Sequence, residues 1–285
     1  MSQNTLLLGA VAYDPKVVTI WDGFQTYFGQ RGLAFDYVLY TNYERQVEAL
    51  LAGHIHVAWN SPLAWLQSER IAGKLGQRAK PICMRDTDRD LVSIIVTREG
   101  GPIRTLNDLK GRRVAVGAKD SPQATLIPLY HLAENGLEPN RDFKVVLFDH
   151  LVGKHGDHIG GERDAARALV RGDCDAACLI DGNLLLFVQE GTFAAGSVRT
   201  LATTAEYDHC NFTVLESRMS NSVERFRELL LGMSYEDPDM RRLLDLEGLK
   251  RWLPGRTEGY DLLSKAVDHF GYLDEFTSAV ASRCT

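Results

Sequence analysis

The sequence predicts an α/β protein of two lobes, each a mostly parallel β-sheet flanked by helices. The chain has 285 residues, of which 45% are hydrophobic and 25% charged, and this is enough to bury two cores. Short apolar runs alternate with segments of helical periodicity, an order typical of parallel sheets with right-handed crossovers. The alternation starts again near residue 95, where we expect the second lobe to begin.

The first lobe opens with the apolar run Thr5–Val11, a predicted strand that ends before Tyr13-Asp14-Pro15. Helical periodicity follows over Val17–Gln30, and Gly32 stops it. The next predicted elements are a strand at Ala34–Tyr40, a helix at Tyr43–Ala52 and a strand at Ile55–Trp59, which runs into Asn60-Ser61-Pro62.

The second lobe repeats this order. Its predicted elements are strands at Leu91–Thr97, Arg113–Gly117, Lys144–Phe148 and Ala176–Ile180, a short helix from Thr105, a helix ending near Ala133 and a helix at Arg163–Arg171. We assign the strand Asn211–Leu215 back to the first lobe, followed by a helical tail. The predicted domains are therefore 1–94 and 201–285 for lobe I and 95–200 for lobe II, with two crossings that form a hinge near 90–97 and 200–208.

Charge and composition exclude several function classes. The net charge is −6, and the basic residues are scattered, whereas a nucleic-acid binder carries a clustered basic surface. No apolar run is long enough to span a membrane. The N-terminus lacks the basic start of a signal peptide, and the five cysteines form no CxxC pair, so we expect a cytoplasmic protein, or a periplasmic one if a leader precedes it. We expect no cofactor.

Three segments carry a resemblance to a known family. They are LLAGHIHVAWNSPLAW, with His56 at the family's usual Asp position, SIIVTREGGPIRTLNDLKGRRVAVGAKDSPQATLIPLYHLAENGL, and LVRGDCDAACLIDG. In this order the chain resembles the type 2 periplasmic-binding-protein superfamily, in particular the phosphonate and phosphate-ester binding proteins of ABC transporters. The resemblance implies a small anionic ligand held between the lobes, and an ABC transporter permease or a regulator as partner.

Loops at the carboxyl ends of the predicted strands supply the candidate ligand contacts, because ligands bind there in open parallel sheets. Asp120 to Thr125 stands before a helix, whose free N–H groups favour an anion, although Ser121 fits equally well as a plain N-cap. The candidate contacts are Tyr13, Tyr43, Asn60, Ser61, Ser121, Gln123, Thr125, His158, Asp181 and Cys210. For the two tyrosines the alternative is an ordinary half-buried aromatic, and for Asn60 and Ser61 plain turn chemistry.

The segment Asp149–Ala165 looks like an insertion, because the phosphonate binders have a shorter link here. It suits a solvated loop, a ligand contact by one histidine, or a metal site made by His155, Asp157, His158 and Glu162. Cys210 suits a buried inert thiol or a nucleophile. We expect His209 not to be its base, since adjacent side chains on an extended segment point to opposite faces.

A binding module is the favoured function. The alternative is a cytoplasmic enzyme on the same scaffold, a lyase or hydrolase that uses His155, His158, Asp181 or Cys210 for acid–base or nucleophilic chemistry. A third class is a ligand sensor that acts on a regulator or kinase.

Overall fold

The computed structural model describes residues 5–157 and 159–284, without the side chain of Cys284. The strands are β1 (Leu6–Val11), β2 (Phe35–Tyr40), β3 (Val57–Asn60), β4 (Ala79–Arg85), β5 (Ser93–Arg98), β6 (Arg113–Val116), β7 (Lys144–Leu147), β8 (Ala176–Ile180), β9 (Val198–Thr203), β10 (Asn211–Leu215) and β11 (Trp252–Pro254). The helices are α1 (Lys16–Gln30), α2 (Tyr43–Ala52), α3 (Pro62–Lys74), α4 (Ile127–Glu134), α5 (Gly160–Arg171), α6 (Asp181–Gln189), α7 (Asn221–Leu231), α8 (Pro238–Glu247), α9 (Asp261–Phe270) and α10 (Asp274–Cys284).

The chain divides into two compact units. Unit 1 consists of residues up to Arg89, Asp208–Tyr260 and residues from Tyr272 on, and unit 2 of Asp90–Tyr207 and Asp261–Gly271. The sequence analysis placed all of 201–285 in the first lobe, but β9 pairs with β5 and α9 packs against α4, both within unit 2. The chain therefore passes between the units four times instead of the two crossings expected.

Unit 1 is built on a six-stranded sheet in the order β11-β4-β10-β3-β1-β2. β1 pairs in parallel with β2 and β3, whereas β10 is antiparallel to both β3 and β4. The strands β1 to β4 therefore point the same way, and their carboxyl ends lie at one edge of the sheet. The start of β10 lies at that same edge, because Asn211 pairs with Asn60 at the end of β3.

Unit 2 is built on a five-stranded sheet in the order β7-β6-β8-β5-β9. β6 pairs in parallel with β7 and β8, and β5 is antiparallel to β8 and β9. Only β5 runs against the other four strands. Both sheets are thus mixed in pairing but mostly parallel in direction, and the predicted α/β fold is confirmed.

Helices cover both faces of each sheet, as a sheet with apolar residues on both sides requires. One face of the first sheet carries an aromatic cluster that includes Trp21, Phe28, Phe212 and Phe226, in which the Phe28 and Phe226 ring centroids lie 5.0 Å apart. Helix ends follow local chemistry: the Asn42 side chain caps α2, and Gly53 ends it in the left-handed conformation. None of the helices in the described part of the chain is long and apolar enough to span a membrane.

Candidate functional site

The end of β3 in unit 1 carries two predicted contacts, Asn60 and Ser61, and both are fully buried. The Asn60 amide donates to Thr213 Oγ1 at 2.9 Å and Ser68 Oγ at 3.2 Å, and its oxygen accepts from Gln46 Nε2 at 2.8 Å. Ser61 Oγ accepts from the Ala64 N–H at 3.1 Å, which makes it the N-cap of α3. The fold itself uses these polar groups, so they fix the shape of the loop.

The two candidate tyrosines of unit 1 lie in different surroundings. Tyr43 is 1% exposed and packs in an apolar cluster with Val47 and Leu50, so the structure gives it the alternative role of a core aromatic. Tyr13 is half-buried, and the Lys16 ammonium lies 5.8 Å from the centre of its ring.

A small cavity of about 10 Å³, about the volume that one water molecule needs, adjoins Tyr13 at the carboxyl ends of β1 and β3. Its walls are mostly apolar and aromatic, and one carboxylate joins them; they are formed by Ala10, Val11, Tyr13, Val17, Ile20, Trp21, Trp59 and Glu247. Sites that bind small organic ligands are far larger, roughly 300–1,000 Å³, so this cavity is too small to hold one. The sequence analysis did not identify Trp59 or Glu247, because Trp59 looked like any strand residue and Glu247 lies almost 190 residues farther along the chain.

A buried polar cluster lies at the same edge, where the chain enters β10. The Arg85 guanidinium donates to both oxygens of Asp88, at 2.5 and 2.9 Å. His209 Nδ1 lies 3.5 Å from Asp88 Oδ1 and 3.1 Å from Cys210 Sγ. Burial alone would raise the pKa of Asp88, but Arg85 and His209 outweigh it and lower this pKa to about 2. Asp88 therefore stays ionised at neutral pH.

The contact between His209 and Cys210 corrects the sequence analysis. We expected adjacent side chains to point apart, but residues 208–210 precede the strand, and the alternation of an extended strand does not apply to them. The arrangement is still not that of a catalytic triad. In a triad the base bridges nucleophile and carboxylate through its two ring nitrogens, whereas here Nδ1 faces both partners.

Asp88, His209 and Cys210 also form the one group of metal-binding side chains found in the described residues, with ligand atoms within 4.8 Å of one another. The Arg85 guanidinium already neutralises Asp88, so the donor set does not fit a divalent cation well. The cysteine side chains that the structure describes are Cys83, Cys174, Cys178 and Cys210, all buried and unbridged. Burial raises the pKa of Cys83 to about 12, which makes this thiol inert.

The side chains of Arg256 and Tyr260 hold the segment before β10 in place. Arg256 donates to both oxygens of Asp208, at 2.6 Å each. The Tyr260 hydroxyl donates to the His209 carbonyl at 2.9 Å and accepts from Asn211 Nδ2 at 2.8 Å. These residues position His209 and Cys210 at the sheet edge, and they are too distant in sequence for a motif to reveal them.

The candidate loop of unit 2 follows β6 and leads through a π-helical turn, Pro122–Leu126, into α4. Ser121 Oγ accepts from the Ala124 N–H at 3.2 Å, and Thr125 Oγ1 donates to the Ala118 carbonyl at 2.8 Å. The predicted N-cap role of Ser121 is thus confirmed. Ser121, Gln123 and Thr125 lie together in this turn and are at most 4% exposed.

Two buried groups from other elements support that turn. Ser93 Oγ donates to the Gln123 carbonyl at 2.5 Å and contacts the Tyr207 hydroxyl at 2.8 Å. Ser93 is the first residue of β5. Tyr207 is the last residue of the segment Asp90–Tyr207 of unit 2 and forms a β-bridge with Leu91. The sequence analysis missed both residues, since nothing in their local pattern marks them.

The histidines of the segment Asp149–Ala165 lie in different surroundings. His155 is fully buried, whereas His150 is exposed and pairs with Asp164 at 2.7 Å. Glu162 accepts from the Ile180 N–H at 3.1 Å and from Asn183 Nδ2 at 2.8 Å, so it ties α5 to the start of α6. His158 lies outside the described residues. His155, Asp157 and Glu162 form no metal-binding group in the part of the chain that the structure describes.

The remaining candidate, Asp181, is the exposed first residue of α6. The sequence analysis expected a loop there, but the run Leu184–Val188 continues as a helix. Of the unit 2 candidates that the structure describes, Ser121, Gln123 and Thr125 lie together in the turn after β6, and Asp181 does not join them. The prediction that loops of both units surround one cleft stays a prediction.

Comparisons with known proteins agree with this fold. A probable ABC transporter phosphite binding protein, PhnD1 of Prochlorococcus marinus, is 21% identical over 235 residues, or 79% of this chain and 74% of PhnD1. The structure of PhnD1 with methylphosphonate has a TM-score of 0.69 at 18% identity and covers 94% of this chain and 98% of its own. A binding component of an ABC phosphonate transporter from Pseudomonas aeruginosa has a TM-score of 0.63 at 12% identity and covers 99% and 98%.

A sequence model of a known family also matches most of the chain. The sequence model of the family described as "ABC transporter, phosphonate, periplasmic substrate-binding protein" matches residues 10–260. This range includes the loops at the carboxyl ends of β1, β3 and β6 and the segment before β10. The chain therefore belongs to the family of periplasmic substrate-binding proteins of phosphonate ABC transporters.

Proposed function

We propose that this protein binds a small phosphonate or phosphate-ester-like anion and delivers it to an ABC transporter. The observation that carries the proposal is the family match over residues 10–260, which spans the candidate loops of both units. The structure of PhnD1, a relative of the same fold, contains methylphosphonate, which makes this compound the natural first ligand to test. A permease of the transporter is the proposed partner, and a regulator is the second candidate.

The oxyanion is assigned to the turn in unit 2. Ser121 to Thr125 stands at the start of a continuous helical run from Pro122 to Glu134, where the helix dipole favours a negative charge. The Ser121 hydroxyl, which accepts from the Ala124 N–H, still has a proton to donate to an oxyanion. The family is periplasmic, so we propose a periplasmic location for the working protein; the cytoplasmic location expected above stays a prediction.

Isothermal titration calorimetry with methylphosphonate, phosphite, phosphate and acetate tests the proposal. We expect binding of one methylphosphonate per chain and weaker binding of phosphate, which lacks the organic substituent, with no binding of acetate. Ser121→Ala combined with Thr125→Ala should weaken the binding of methylphosphonate at least tenfold, because both hydroxyls lie at the proposed oxyanion site. Thr26→Ala is the control, since the exposed Thr26 hydroxyl lies in unit 1 and donates to the Asp22 carbonyl at 3.0 Å. The absence of binding of all three phosphorus anions at millimolar concentration would exclude this function.

A further inference from the structure

A part of the insertion lies directly over the turn to which we assign the oxyanion. We call this segment the strap and define it as residues 149–157, which belong to the same unit as the turn. A Cβ atom added to Gly156 would overlap Ser121 Oγ and would lie 2.7 Å from Gln123 Nε2. Since not even a methyl group fits between Gly156 and Ser121, a ligand and the closed strap cannot occupy this place together.

Hydrogen bonds hold the strap in this position. Asp120 Oδ2 accepts from the Gly153 N–H at 2.5 Å and from the His155 N–H at 3.3 Å. Gln123 Nε2 donates to the Gly156 carbonyl at 2.8 Å. The strap thus uses the two residues on either side of Ser121 and Pro122 as its anchors, and its closed form buries the turn.

The backbone of the strap is strained. Leu151 and His155 have φ angles of +53° and +51°, in the left-handed region that side-chain-bearing residues adopt at a cost. Gly153 and Gly156 also have positive φ angles, so four of the strap's nine residues are left-handed. Leu151 and Val152 at its outer side are 48% and 46% exposed. A strained segment with exposed apolar side chains is poised to open.

The closed strap does not satisfy the hydrogen-bonding capacity of two buried polar atoms beside it. Asp120 and Gln123 are 2% and 4% exposed, and among the described residues neither Asp120 Oδ1 nor Gln123 Oε1 has a hydrogen-bond partner. Buried polar atoms without partners are costly, and native proteins keep few of them. Both atoms would gain partners from water once the strap moves away.

We propose that the strap is a displaceable occupant of the oxyanion site, so that ligand binds only to molecules in which the strap has opened. This inference rests on the proposed function, because it regulates the same site. The apparent dissociation constant then equals the intrinsic one divided by the fraction of open molecules. Loosening the strap raises affinity, and tightening it lowers affinity.

Two variants of opposite sign test the proposal. Gly156→Ala changes no residue of the turn, but its Cβ would overlap Ser121 Oγ, so it should push the strap away and raise the affinity for methylphosphonate about tenfold. Leu151→Asn should lower it a few-fold, because asparagine tolerates the left-handed conformation and so favours the closed strap. Gly172→Ala is the matched control: it has a φ of +81°, close to the +78° of Gly156, but nothing lies within 4 Å of the added Cβ.

Hydrogen exchange separates this proposal from the proposed function. The amides of Gly153, His155 and the turn 121–126 should exchange faster in Gly156→Ala than in Gly172→Ala. In the wild-type protein, the amides of Gly153 and His155 should exchange faster with methylphosphonate than without it. Unchanged or weaker binding by Gly156→Ala would overturn the proposal. If no variant binds methylphosphonate, the proposed function fails, and exchange alone decides: faster exchange in Gly156→Ala supports a strap over the turn, and equal exchange overturns it.

Discussion

Replacing Arg85 by methionine removes the partner of a buried carboxylate. The side chains of Arg85 and Asp88 are 19% and 2% exposed, so the variant leaves Asp88 charged in a place that water hardly reaches. Arg85 and His209 together lower the pKa of Asp88 from 3.8 to about 2, which corresponds to roughly 2–3 kcal/mol of stability at neutral pH, and Arg85 is the larger contributor. Arg85 also donates to the Glu247 carbonyl and lies over the Trp59 ring. We therefore expect a loss of about 3–5 kcal/mol, as for other broken buried pairs.

Urea unfolding at several pH values measures this loss. In the wild-type protein the contribution of Asp88 is present above its unfolded pKa and is lost only as pH falls from 3.8 toward about 2. In the variant, burial instead raises the pKa of Asp88, and protonation relieves the penalty. The difference between the two proteins should therefore shrink as pH falls from 7 toward 4.

The matched control is Arg171→Met. Arg171 pairs with Asp173 at 2.7 Å, but the two side chains are 57% and 58% exposed, and we expect a loss below about 1 kcal/mol. The double variant Arg85→Met with Asp88→Asn should regain part of the lost stability. Equal losses for the buried and the exposed pair, or a penalty that stays constant between pH 7 and 4, would refute the electrostatic argument.

Two further variants probe the loops at the edge of the first sheet. Asn60→Ala should cost about 2–4 kcal/mol in urea unfolding, because it leaves buried polar partners unsatisfied, whereas the exposed control Asn135→Ala should cost less than 1 kcal/mol; similar losses would contradict the buried network. Gly259→Ala should destabilise by about 2 kcal/mol or more, because its Cβ would overlap the Asp208 carboxylate that Arg256 holds. Gly73→Ala, inside α3 with open space around it, should instead stabilise the protein by up to about 1 kcal/mol. A loss of stability in Gly73→Ala would contradict the argument that the loss in Gly259→Ala comes from the overlap with Asp208.

Local chemistry explains which elements the sequence predicted well. The bounds of α2 agree because Asn42 and Gly53 cap it. The end of β10 agrees because the apolar residues Val214 and Leu215 are followed by the charged Glu216. The helix α9 was predicted as part of the tail, but its amphipathic pattern cannot state which sheet it covers. Its place on α4 depends on contacts such as that of Tyr130 with His269, whose ring centroids lie 5.5 Å apart.

The candidate site was predictable only in part. Ser121 stood out because an N-cap precedes a proline at the start of a helix. The pairing of Asp88 with His209 did not, since 121 positions separate them and neither lies in a motif. The strap was recognised as an unusual segment from its glycines and histidines. Its position over Ser121 depends on left-handed residues such as Leu151, which no residue preference predicts.

The four passages of the chain between the units have a consequence for synthesis. When Tyr207 leaves the ribosome, the sheet of unit 2 is complete, but the face of α4 that α9 covers is still bare. Phe270, which packs against the same core as Leu129 and Leu132, arrives more than sixty residues later. Unit 1 is complete only after α10 has been synthesised. Neither unit can therefore finish folding cotranslationally before the other is nearly made, and a gene fragment that encodes only residues 90–207 would yield a domain with an uncovered apolar face.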